Sequence, residues 1–525
     1  MLTPLTRRAA VLLGGVALAL TATLAPANLA AATLAPAGSA APGLPSIPAI
    51  PGLPIPSLPT DLLVPSFIGA PATPRPVAHP RVPQNPFLSA NGTSSMHTDA
   101  YSSDAYEVSG PLGHDLQVTS ASYGVRECAT MTFDSQGRIV GLCGGLEGFT
   151  MMLIDPVTLE PLSELQISQR DLTTGTNPFT DICGGTYFFL DQRDHAFATS
   201  TEESSIAEVA VNDAGDLEVL QRWALADDIP ADDCLVATEP DWSGNLWFFT
   251  QQGYAGTLDR ASGKVQVIRL GSARAPEGNF NSVSADETGG VYPVTTHAMY
   301  RLDATASGRP TVTWRAAYDR GSVQKPGMLS QGSGTSPTLL GKRWVAITDN
   351  ADPQTQVLVY DRRKRAATRL HCTVPVLRPD AGTTENSLVS AGNGFIIENN
   401  YGYAGVQSTL FGQTTTPGFA KVRLTRSGCE LAWTNDTIVA PTSVPKGSWG
   451  NGLVYAYTKP ERSDGIDAWY FSALDMRTGE TVWSQLTGTG IQWNNHYAAI
   501  YLGPDGAAYI ATLAGLVRIV DGSTS

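Results

Sequence analysis

Residues 473–483 have the sequence Ala-Leu-Asp-Met-Arg-Thr-Gly-Glu-Thr-Val-Trp, which predicts two β-strands joined by a tight turn. Residues 470–474 and 480–483 have the composition of strands. The segment between them, 475–479, is typical of a turn, because Asp and Thr side chains bond nearby backbone amides and Gly479 tolerates a positive φ. Two strands joined this closely form a hairpin. The stretch therefore indicates an all-β unit.

The spacing of Ala, Asp, Thr, Gly and Trp in this hairpin resembles the tryptophan-docking repeat of quinoprotein-like β-propellers. Residues 503–521 resemble the second half of the same repeat, so the resemblance covers 473–521. Residues 245–263 also resemble a blade of streptogramin-lyase-like propellers. These resemblances imply a β-propeller. They do not assign an activity, because one fold supports many functions.

Similar turn sequences recur along the chain, each between strand-like segments. They lie at 134–137, 191–194, 241–244, 286–289, 341–342, 391–394, 450–452 and 504–506. Their spacing of about 45 to 60 residues is the period expected of propeller blades. Outer-strand tryptophans close four of the units, namely Trp223, Trp314, Trp433 and Trp483. The sequence therefore predicts an all-β propeller of eight four-stranded blades, with seven blades as the alternative.

The last unit ends at Asp521, which is too early for its own outermost strand. Residues 104–118 precede the first complete unit, and we expect them to supply the missing strand. Closing the ring with an N-terminal strand protects the sheet edges from pairing with other chains.

The composition excludes several classes of protein. The chain has 525 residues, of which 52 are Gly and 16% are charged, and a net charge of −14. A Gly-rich chain without long amphipathic segments favours an all-β fold. Its basic clusters are short, such as 362–365, which argues against nucleic acid as a partner. We expect a soluble monomer.

The N-terminus predicts export. Arg7 and Arg8 precede a short apolar run, and Ala25-Pro-Ala27 is a small-x-small cleavage site. We predict a signal peptide at 1–30, a Pro- and Ala-rich disordered linker at 31–95, and the propeller domain at 96–525. The paired arginines resemble a twin-arginine signal that lacks the usual aromatic residue, so the general secretory and twin-arginine routes both stay open. The mature chain would then have no membrane span, and would be secreted or associated with the cell envelope.

The six cysteines are an even number in an exported chain, which favours disulfides. Their positions relative to the repeated turns predict which ones pair. One pair lies on either side of the 134–137 turn, and the other two pairs occupy equivalent positions in consecutive blades. The predicted pairs are Cys128 with Cys143, Cys183 with Cys234, and Cys372 with Cys429.

Polar residues precede the first turn of most units, where the innermost strand of a propeller blade begins. They are Glu127, Asp181, Asp233, Asn281, Glu385, Asn386, Asn495 and His496. Because inner strands converge on one axis, we expect these side chains to meet at one mouth of the central channel. Carboxylate and amide oxygens suit a hard cation such as calcium. The alternative is structural, with these side chains bonding to backbone amides at the strand ends.

Part of this set resembles the Glu/Asn/Asn/Asp calcium centre of gluconolactonase- and paraoxonase-like propellers, which have six blades. The resemblance implies a metal site with Glu127, Asp233, Asn281, Asn386 and Asn495 as ligands, with Asp181 as the alternative to Asp233. Such a metal would polarise a lactone or ester carbonyl and lower the pKa of a water. His496 would then act as the general base.

Two further chemistries follow from the same residues and from the quinoprotein resemblance. Glu385 paired with Glu127 or with Asp181 could hydrolyse a glycosidic bond between two facing carboxylates. Oxidation with pyrroloquinoline quinone (PQQ) is the least favoured, because the chain lacks the vicinal Cys-Cys pair typical of those enzymes.

The sequence thus predicts one of two functions. The first is a binding protein that holds a small molecule, a glycan or an envelope protein at the channel mouth. The second is an extracellular hydrolase acting on lactones, esters or glycans, with Glu127, Asp181, Glu385 and His496 as the catalytic residues and calcium as the candidate cofactor.

Overall fold

The structure is a computed structural model that describes residues 64–170, 177 and 180–522. The predicted signal peptide and the part of the predicted linker before residue 64 lie outside the described residues.

Three short strands near the N-terminus precede the repeated units. They are β1 Phe67–Gly69, β2 Ala105–Tyr106 and β3 Gln117–Ser122. Within the described residues, the strands that follow, together with β3, build eight four-stranded blades arranged in a ring, which confirms the predicted fold class. Most connections are antiparallel hairpins, as the repeated turn sequences predict.

The first four blades occupy the N-terminal half of the ring. Blade 1 contains β4 Arg126–Phe133, β5 Ile139–Gly145, β6 Gly148–Ile154 and β7 Pro161–Gln169, and blade 2 contains β8 Phe188–Leu190, β9 Ala196–Ser200, β10 Ser205–Val211 and β11 Leu217–Ala224. Blade 3 contains β12 Leu235–Pro240, β13 Leu246–Thr250, β14 Tyr254–Leu258 and β15 Val265–Arg269, and is followed by a small hairpin of β16 Gly271–Ser272 and β17 Ala275–Pro276. Blade 4 contains β18 Ser284–Ala285, β19 Gly290–Tyr292, β20 Ala298–Ala304 and β21 Pro310–Ala317.

The remaining four blades complete the ring. Blade 5 contains β22 Thr338–Leu340, β23 Trp344–Thr348, β24 Gln356–Asp361 and β25 Leu370–Pro375, and blade 6 contains β26 Val389–Ser390, β27 Gly394–Glu398, β28 Phe419–Leu424 and β29 Cys429–Asn435. Blade 7 contains β30 Lys446–Ser448, β31 Leu453–Thr458, β32 Ala468–Asp475 and β33 Thr481–Thr489. Blade 8 contains β34 Ile500–Leu502, β35 Ala508–Thr512, β36 Gly515–Val520 and the N-terminal strand β3.

Strand β3 closes the ring from the N-terminal side. It pairs antiparallel with β36, from Gln117 opposite Val520 to Ser122 opposite Gly515. Closure by an N-terminal strand was expected, but the strand lies further along the chain than the predicted segment 104–118. Strand β2, which lies within that segment, instead pairs in parallel with the inner strand β30 of blade 7.

The repeated Asp residues form the turns between the first and second strands. The carboxylate of Asp134 accepts hydrogen bonds from the amides of Gln136 and Arg138, at 3.0 and 2.8 Å. The same pattern, from the residues two and four positions further on, occurs at Asp191, Asp241 and Asp286. In each of these four blades, one short acidic side chain thus satisfies backbone amides that a turn leaves unpaired.

The hairpin that contains residues 473–483 forms the outer half of blade 7. Gly479 has a φ of +76°, and a Cβ at this position would lie 2.4 Å from the ring of Trp433 in the preceding blade. Trp483 is fully buried in a cluster with Tyr455 and Phe471. Apolar contacts of this kind lie between neighbouring blades, so the core is distributed around the ring.

The N-terminal residues from 64 onward belong to the folded domain, so its described part begins well before the predicted boundary at residue 96. Strand β1 pairs with the outer strand β33. The amides of Arg75 and Val77 each bond at 2.8 Å to carbonyls of blade 7, those of Asn451 and Trp449. A Pro-rich segment of this kind lacks the alternation of apolar and polar residues that predicts a strand. Its backbone hydrogen bonds to blade 7 hold it in place.

Residues 94–106, here called the plug segment, cross the hub of the ring. Inner strands of five blades each donate an amide to a plug carbonyl at 2.7–2.9 Å: Leu190 to Ser94, Ala285 to Ala100, Leu339 to Tyr101, Ser390 to Ser103 and Gly447 to Asp104. Residues 98–106 of the segment are buried. The plug segment therefore ties blades 2, 4, 5, 6 and 7 together at the axis.

All six cysteines lie in the described part of the chain and form three disulfides with the predicted pairing, which is confirmed. Cys128–Cys143 joins the two inner strands of blade 1, and the other two bonds join consecutive blades. The described residues include no helix with the length and hydropathy needed to cross a bilayer.

Candidate functional site

A cavity of about 170 Å³ lies at the hub, and the starts of several inner strands line it. All four residues predicted as catalytic line this cavity: Glu127, Asp181, Glu385 and His496. Asn386 joins them from the predicted metal set. The structure therefore brings together, around one space, side chains from blades 1, 2, 6 and 8 that are up to 369 positions apart in the sequence.

The cavity has an apolar mouth and a closed floor. Val125 and Leu146 line it and are 62% and 48% exposed, so they mark the opening to solvent. Met96 and His97 of the plug segment line it as well and are almost completely buried. Between these ends, the wall includes apolar side chains from four parts of the chain: Ile182, Leu329, Val444 and Leu513.

Glu127 is directed by an irregularity in the first hairpin. It pairs with Gly144 and Thr130 pairs with Leu142, so Cys128 and Ala129 together oppose a single residue, Cys143. Such a β-bulge re-aims side chains at the edge of a site. The disulfide between Cys128 and Cys143 bonds the residues at this bulge.

The carboxyl group of Glu127 has an unusual environment. The residue is only 9% exposed, and its Oε1 atom has no hydrogen-bond partner among the described residues. Burial raises the pKa of Glu127 well above its ordinary value, because a low-dielectric surrounding disfavours the carboxylate. Glu127 therefore holds its proton more tightly than an exposed glutamate does.

Glu385, which precedes the inner strand of blade 6, has a similar environment. Its backbone amide donates to Asn400 Oδ1 at 2.7 Å, and its Oε2 accepts a hydrogen bond from the amide of Leu329 at 3.1 Å. Burial raises the pKa of Glu385 to about 8, against the smaller opposing effect of the Leu329 bond. The cavity thus contains two carboxyl groups whose pKa values are raised by burial.

Asp181, by contrast, has a cationic partner. Arg170 Nε donates to Asp181 Oδ2 at 2.7 Å, and the amide of Cys183 donates to its Oδ1 at 3.0 Å. Arg170 also lies 5.2 Å from the ring centre of Phe149. Asp181 therefore neutralises a guanidinium at the cavity wall, and it differs in this respect from the two glutamates.

His496 is held from the side by other polar residues. Its Nδ1 lies 2.9 Å from the hydroxyl of Tyr403, and its amide donates to Asn494 Oδ1 at 2.9 Å. The backbone φ of His496 is +33° and that of Tyr497 is +66°, both in the left-handed region. This turn places His496 and Tyr497 in the cavity lining.

A second histidine, His97, lines the cavity and was not among the sequence-based candidates. Its Nδ1 lies 3.2 Å from both carboxylate oxygens of Asp104, and its Nε2 is buried with no hydrogen-bond partner among the described residues. Burial opposes ionisation of Asp104, but Lys446 and His97 lower its pKa below the ordinary value. No sequence pattern indicated His97, because it lies before the repeats and reaches the cavity only through the path of the plug segment.

The five residues predicted to bind calcium are not gathered at the cavity. Only Glu127 and Asn386 line it. Asn386 donates its amide nitrogen to the carbonyls of Thr442 and Ser443, at 3.2 and 2.9 Å, and to the buried carboxyl of Glu398.

The other three residues of that set bond to the backbone. Asp233 accepts hydrogen bonds from the amides of Cys234 and Gln252, at 2.8 and 2.9 Å. Asn281 and Asn495 donate their amide nitrogens to backbone carbonyls. These hydrogen bonds match the structural alternative considered above. The calcium centre stays a prediction, and three of its five residues do not line this cavity.

Clusters of His, Cys, Asp and Glu that could share an ion lie elsewhere in the described chain. One comprises Asp191, His195 and Glu208. Arg193 already bonds to two of its carboxylates, at 2.9 and 2.8 Å. The other comprises His371 and the disulfide-bonded Cys372 and Cys429. Neither cluster includes a residue of the predicted calcium set.

Comparisons with known proteins give no family assignment. No family model matches the chain. A curated relative, an uncharacterized protein of Archaeoglobus fulgidus, is 26% identical over 308 residues, which are 53% of this chain. The chain spans 59% of the length of that relative.

Solved structures that resemble the chain have low sequence identity. They include a streptogramin B lyase (11% identity, TM-score 0.38, covering 77% of this chain and 97% of that one). Others are the WD40 domain of SCAP from fission yeast (9%, 0.41, 78% and 99%) and a protein from Lactobacillus plantarum (12%, 0.40, 71% and 95%). With TM-scores below 0.5, these similarities carry no inference about what the protein binds or does.

Proposed function

We propose that the protein binds a small organic cation in the central cavity, with the apolar part of the ligand against the cavity wall and its cationic group near Glu127 and Glu385. The observation that carries this proposal is the pair of buried carboxyl groups in one cavity. Neither glutamate forms an ion pair with a described residue, whereas Asp181 in the same cavity does. A ligand that supplies positive charge would complete the site.

Energetics support a ligand with hydrogen-bond donors. A buried polar atom without a partner costs about 1–3 kcal/mol, and Glu127 Oε1 is such an atom. An ammonium group would satisfy this oxygen and form a charge-assisted bond, which is stronger than a neutral one. Tyr187 and Tyr497 also line the cavity, and aromatic faces attract cations.

The size of the cavity limits the ligand. Apolar cavities of about 150 Å³ hold a benzene-sized molecule, and the present cavity measures about 170 Å³. A compound with one ring or a short branched chain, carrying one ammonium group, fits this space. Larger ligands would extend past Val125 and Leu146 into solvent.

The test is a calorimetric binding screen of aryl- and alkylammonium compounds alongside their neutral alcohol and anionic carboxylate counterparts. We expect the ammonium compounds to bind, and Glu127→Gln to weaken binding by about tenfold, the loss of one charged hydrogen bond. Glu160→Gln, an exposed glutamate in the same blade, is the matched control and should change nothing. Equal binding of neutral and cationic compounds would contradict the proposal.

A second candidate is hydrolysis, and the raised pKa of Glu385 favours it. A carboxyl group with a pKa of about 8 holds a proton at neutral pH and can deliver it to a leaving group as a general acid. Asp181 and His496 line the same cavity and are the candidates for the accompanying base. A screen of the purified protein on lactones, aryl esters and wall polysaccharides tests this, with Glu385→Gln as the variant that should lose activity.

We also propose that the protein acts outside the cytoplasm, as the N-terminal sequence predicts. Three disulfides support this location, because disulfides persist in oxidising compartments. N-terminal sequencing of protein recovered from the culture medium and from the envelope fraction tests export. A mature chain beginning near residue 31 is the expected result.

A further inference from the structure

Five cationic side chains project from one end of blade 5. They come from two neighbouring turns, between β22 and β23 and between β24 and β25, which lie at the same end of the sheet because alternate strands run in the same direction. All five are exposed: Lys342, Arg343, Arg363, Lys364 and Arg365. We call this set the basic patch.

The charge of this region is opposite to that of the whole chain, which has a net charge of −14. The ion pairs beneath the patch use only part of its positive charge. The cationic side chains in and under the patch are Arg301, Lys342, Arg343, Arg362, Arg363, Lys364, Arg365 and Arg369, and the carboxylates paired with them are Asp286, Glu287, Asp303 and Asp361. Four positive charges therefore remain in excess.

Part of the patch is preorganised. The Arg343 guanidinium lies 4.4 Å from the ring centre of Trp344, and Trp344 stacks with His371 at 4.2 Å. Arg343 also donates to Asp361 at 3.0 Å. Burial opposes ionisation of Asp361, but hydrogen bonds from Arg363 and Arg343 lower its pKa to about 2, so it stays charged. Holding the guanidinium in place reduces the entropy that a ligand must remove on binding.

A groove of about 360 Å³ runs beside these residues. Its walls include Arg343, Trp344, Arg363, Thr368 and His371. Thr368 adds a hydroxyl group, and the side chains of Arg343 and Arg363 remain more than half exposed. Such guanidiniums bind carboxylate and phosphate groups through paired donors.

We propose that the basic patch and its groove bind an acidic polysaccharide, that is, a glycan carrying carboxylate or phosphate groups along its length. Five exposed cations over two turns suit a polymer with repeated charges better than one small anion. Nucleic acid fits less well, because single-strand binding uses free aromatic faces. Trp344 already stacks with Arg343 and His371. This site is separate from the central cavity.

The experiment measures binding of the full-length protein to polygalacturonate, which carries carboxylates, and to phosphomannan, which carries phosphates. Single-stranded DNA is the third probe. We expect binding to at least one glycan, with an affinity that falls linearly in a plot of log K against log salt, as counterion release requires. The glycan that binds more tightly identifies the anionic group.

The test variant is Arg363→Gln/Lys364→Gln/Arg365→Gln, and the matched control is Lys264→Gln/Arg274→Gln/Arg309→Gln, three exposed cations in blades 3 and 4. The test variant should weaken glycan binding at least about tenfold and reduce the salt slope by about two, since each of the three lost charges accounts for about 0.7 of a released counterion on a single-stranded polyanion. The control should change affinity less than twofold.

Three results would overturn the proposal. They are no binding to either glycan at low salt, equal losses in the test and control variants, and DNA binding as tight as that of the better glycan. A circular-dichroism melting curve for each variant confirms that it is folded. Arg343→Lys keeps the charge but removes the guanidinium that stacks on Trp344, and it should weaken glycan binding about threefold.

Discussion

Asp104 of the plug segment and Lys446 on the inner strand of blade 7 form an ion pair in which both side chains are completely buried. His97 bonds to the same carboxylate and lines the central cavity. The charged pair therefore fixes the floor of the candidate site to the ring. The pair also makes the stability of the fold depend on the plug segment, which is not part of the repeated blades.

Removing one partner of this pair should destabilise the domain strongly. Lys446→Met leaves a buried carboxylate without its main counterion, and breaking a buried pair in this way costs about 3–5 kcal/mol. Chemical denaturation of the variant and the wild type measures the change in the free energy of unfolding. Lys264→Met, an exposed lysine, is the control and should change it by less than about 0.5 kcal/mol. Equal effects of the two substitutions would show that the pair is not structural.

Glu385 should make stability depend on pH. Burial raises the pKa of Glu385 from 4.5 to about 8. A group whose pKa is raised on folding stabilises the protein fully below its unfolded pKa, and this contribution disappears as pH rises through the folded pKa. Between pH 4.5 and 8.5, the free energy of unfolding of the wild type should therefore fall by roughly 3–5 kcal/mol relative to Glu385→Gln.

Parallel denaturation curves of the two proteins across this pH range provide the measurement. Asp99 and Asp349 also have raised pKa values, of about 6 and 7, and act in the same direction in both proteins. The difference between wild type and variant isolates Glu385. A difference that stays constant with pH would contradict a buried, protonated carboxyl group.

Binding of an organic cation should strengthen as pH rises. A ligand such as benzylammonium, which stays charged between pH 6 and pH 8, favours the ionised form of Glu385, so its binding must release the proton when the pH is below about 8. Affinity is expected to increase roughly 50-fold between pH 6 and pH 8. Calorimetry in buffers of different ionisation enthalpy measures both the affinity and the released proton. Affinity that is independent of pH would exclude Glu385 from the site.

The disulfide at the bulge should matter for binding as well as for stability. Cys128→Ser/Cys143→Ser removes a bond with a separation of 15 residues, which stabilises a protein by about 3 kcal/mol in the chain-entropy description. It should also weaken ligand binding, because the same bulge directs Glu127 into the cavity. Cys372→Ser/Cys429→Ser, remote from the cavity, is the control: it should lower stability without changing affinity. Equal affinities in the two double variants would remove the role assigned to the bulge.

Calcium should leave the melting temperature unchanged. The predicted ligands Asn281 and Asn495 donate their amide nitrogens to backbone carbonyls, and Asp233 accepts two backbone amides. A thermal melt with calcium and one with a chelator should coincide. An increase of several degrees with calcium, abolished in Asp233→Asn, would restore the metal site that the sequence pattern predicts.

Sequence reasoning located the candidate site because of a regular feature of the repeats. Each inner strand begins shortly before its first turn, so the polar residues there, including Glu127, Glu385 and His496, could be assigned to one end of the hub. The same reasoning included Asp233, Asn281 and Asn495, which do not line the cavity. Residue type and register place a side chain near the axis, but they do not decide whether it bonds to its own backbone or points into the space.

From the amino-acid sequence alone came the propeller fold, the turns, the disulfide pairing and a preference for eight blades over seven. These depend on short-range chemistry that each repeat contains, such as Asp134 bonding to amides two and four residues further on. The path of the plug segment, the recruitment of His97 and the raised pKa values of Glu127 and Glu385 came only from the tertiary structure. Those properties depend on burial and on contacts between residues hundreds of positions apart, and no local pattern of residues encodes how much water a side chain loses when the ring closes.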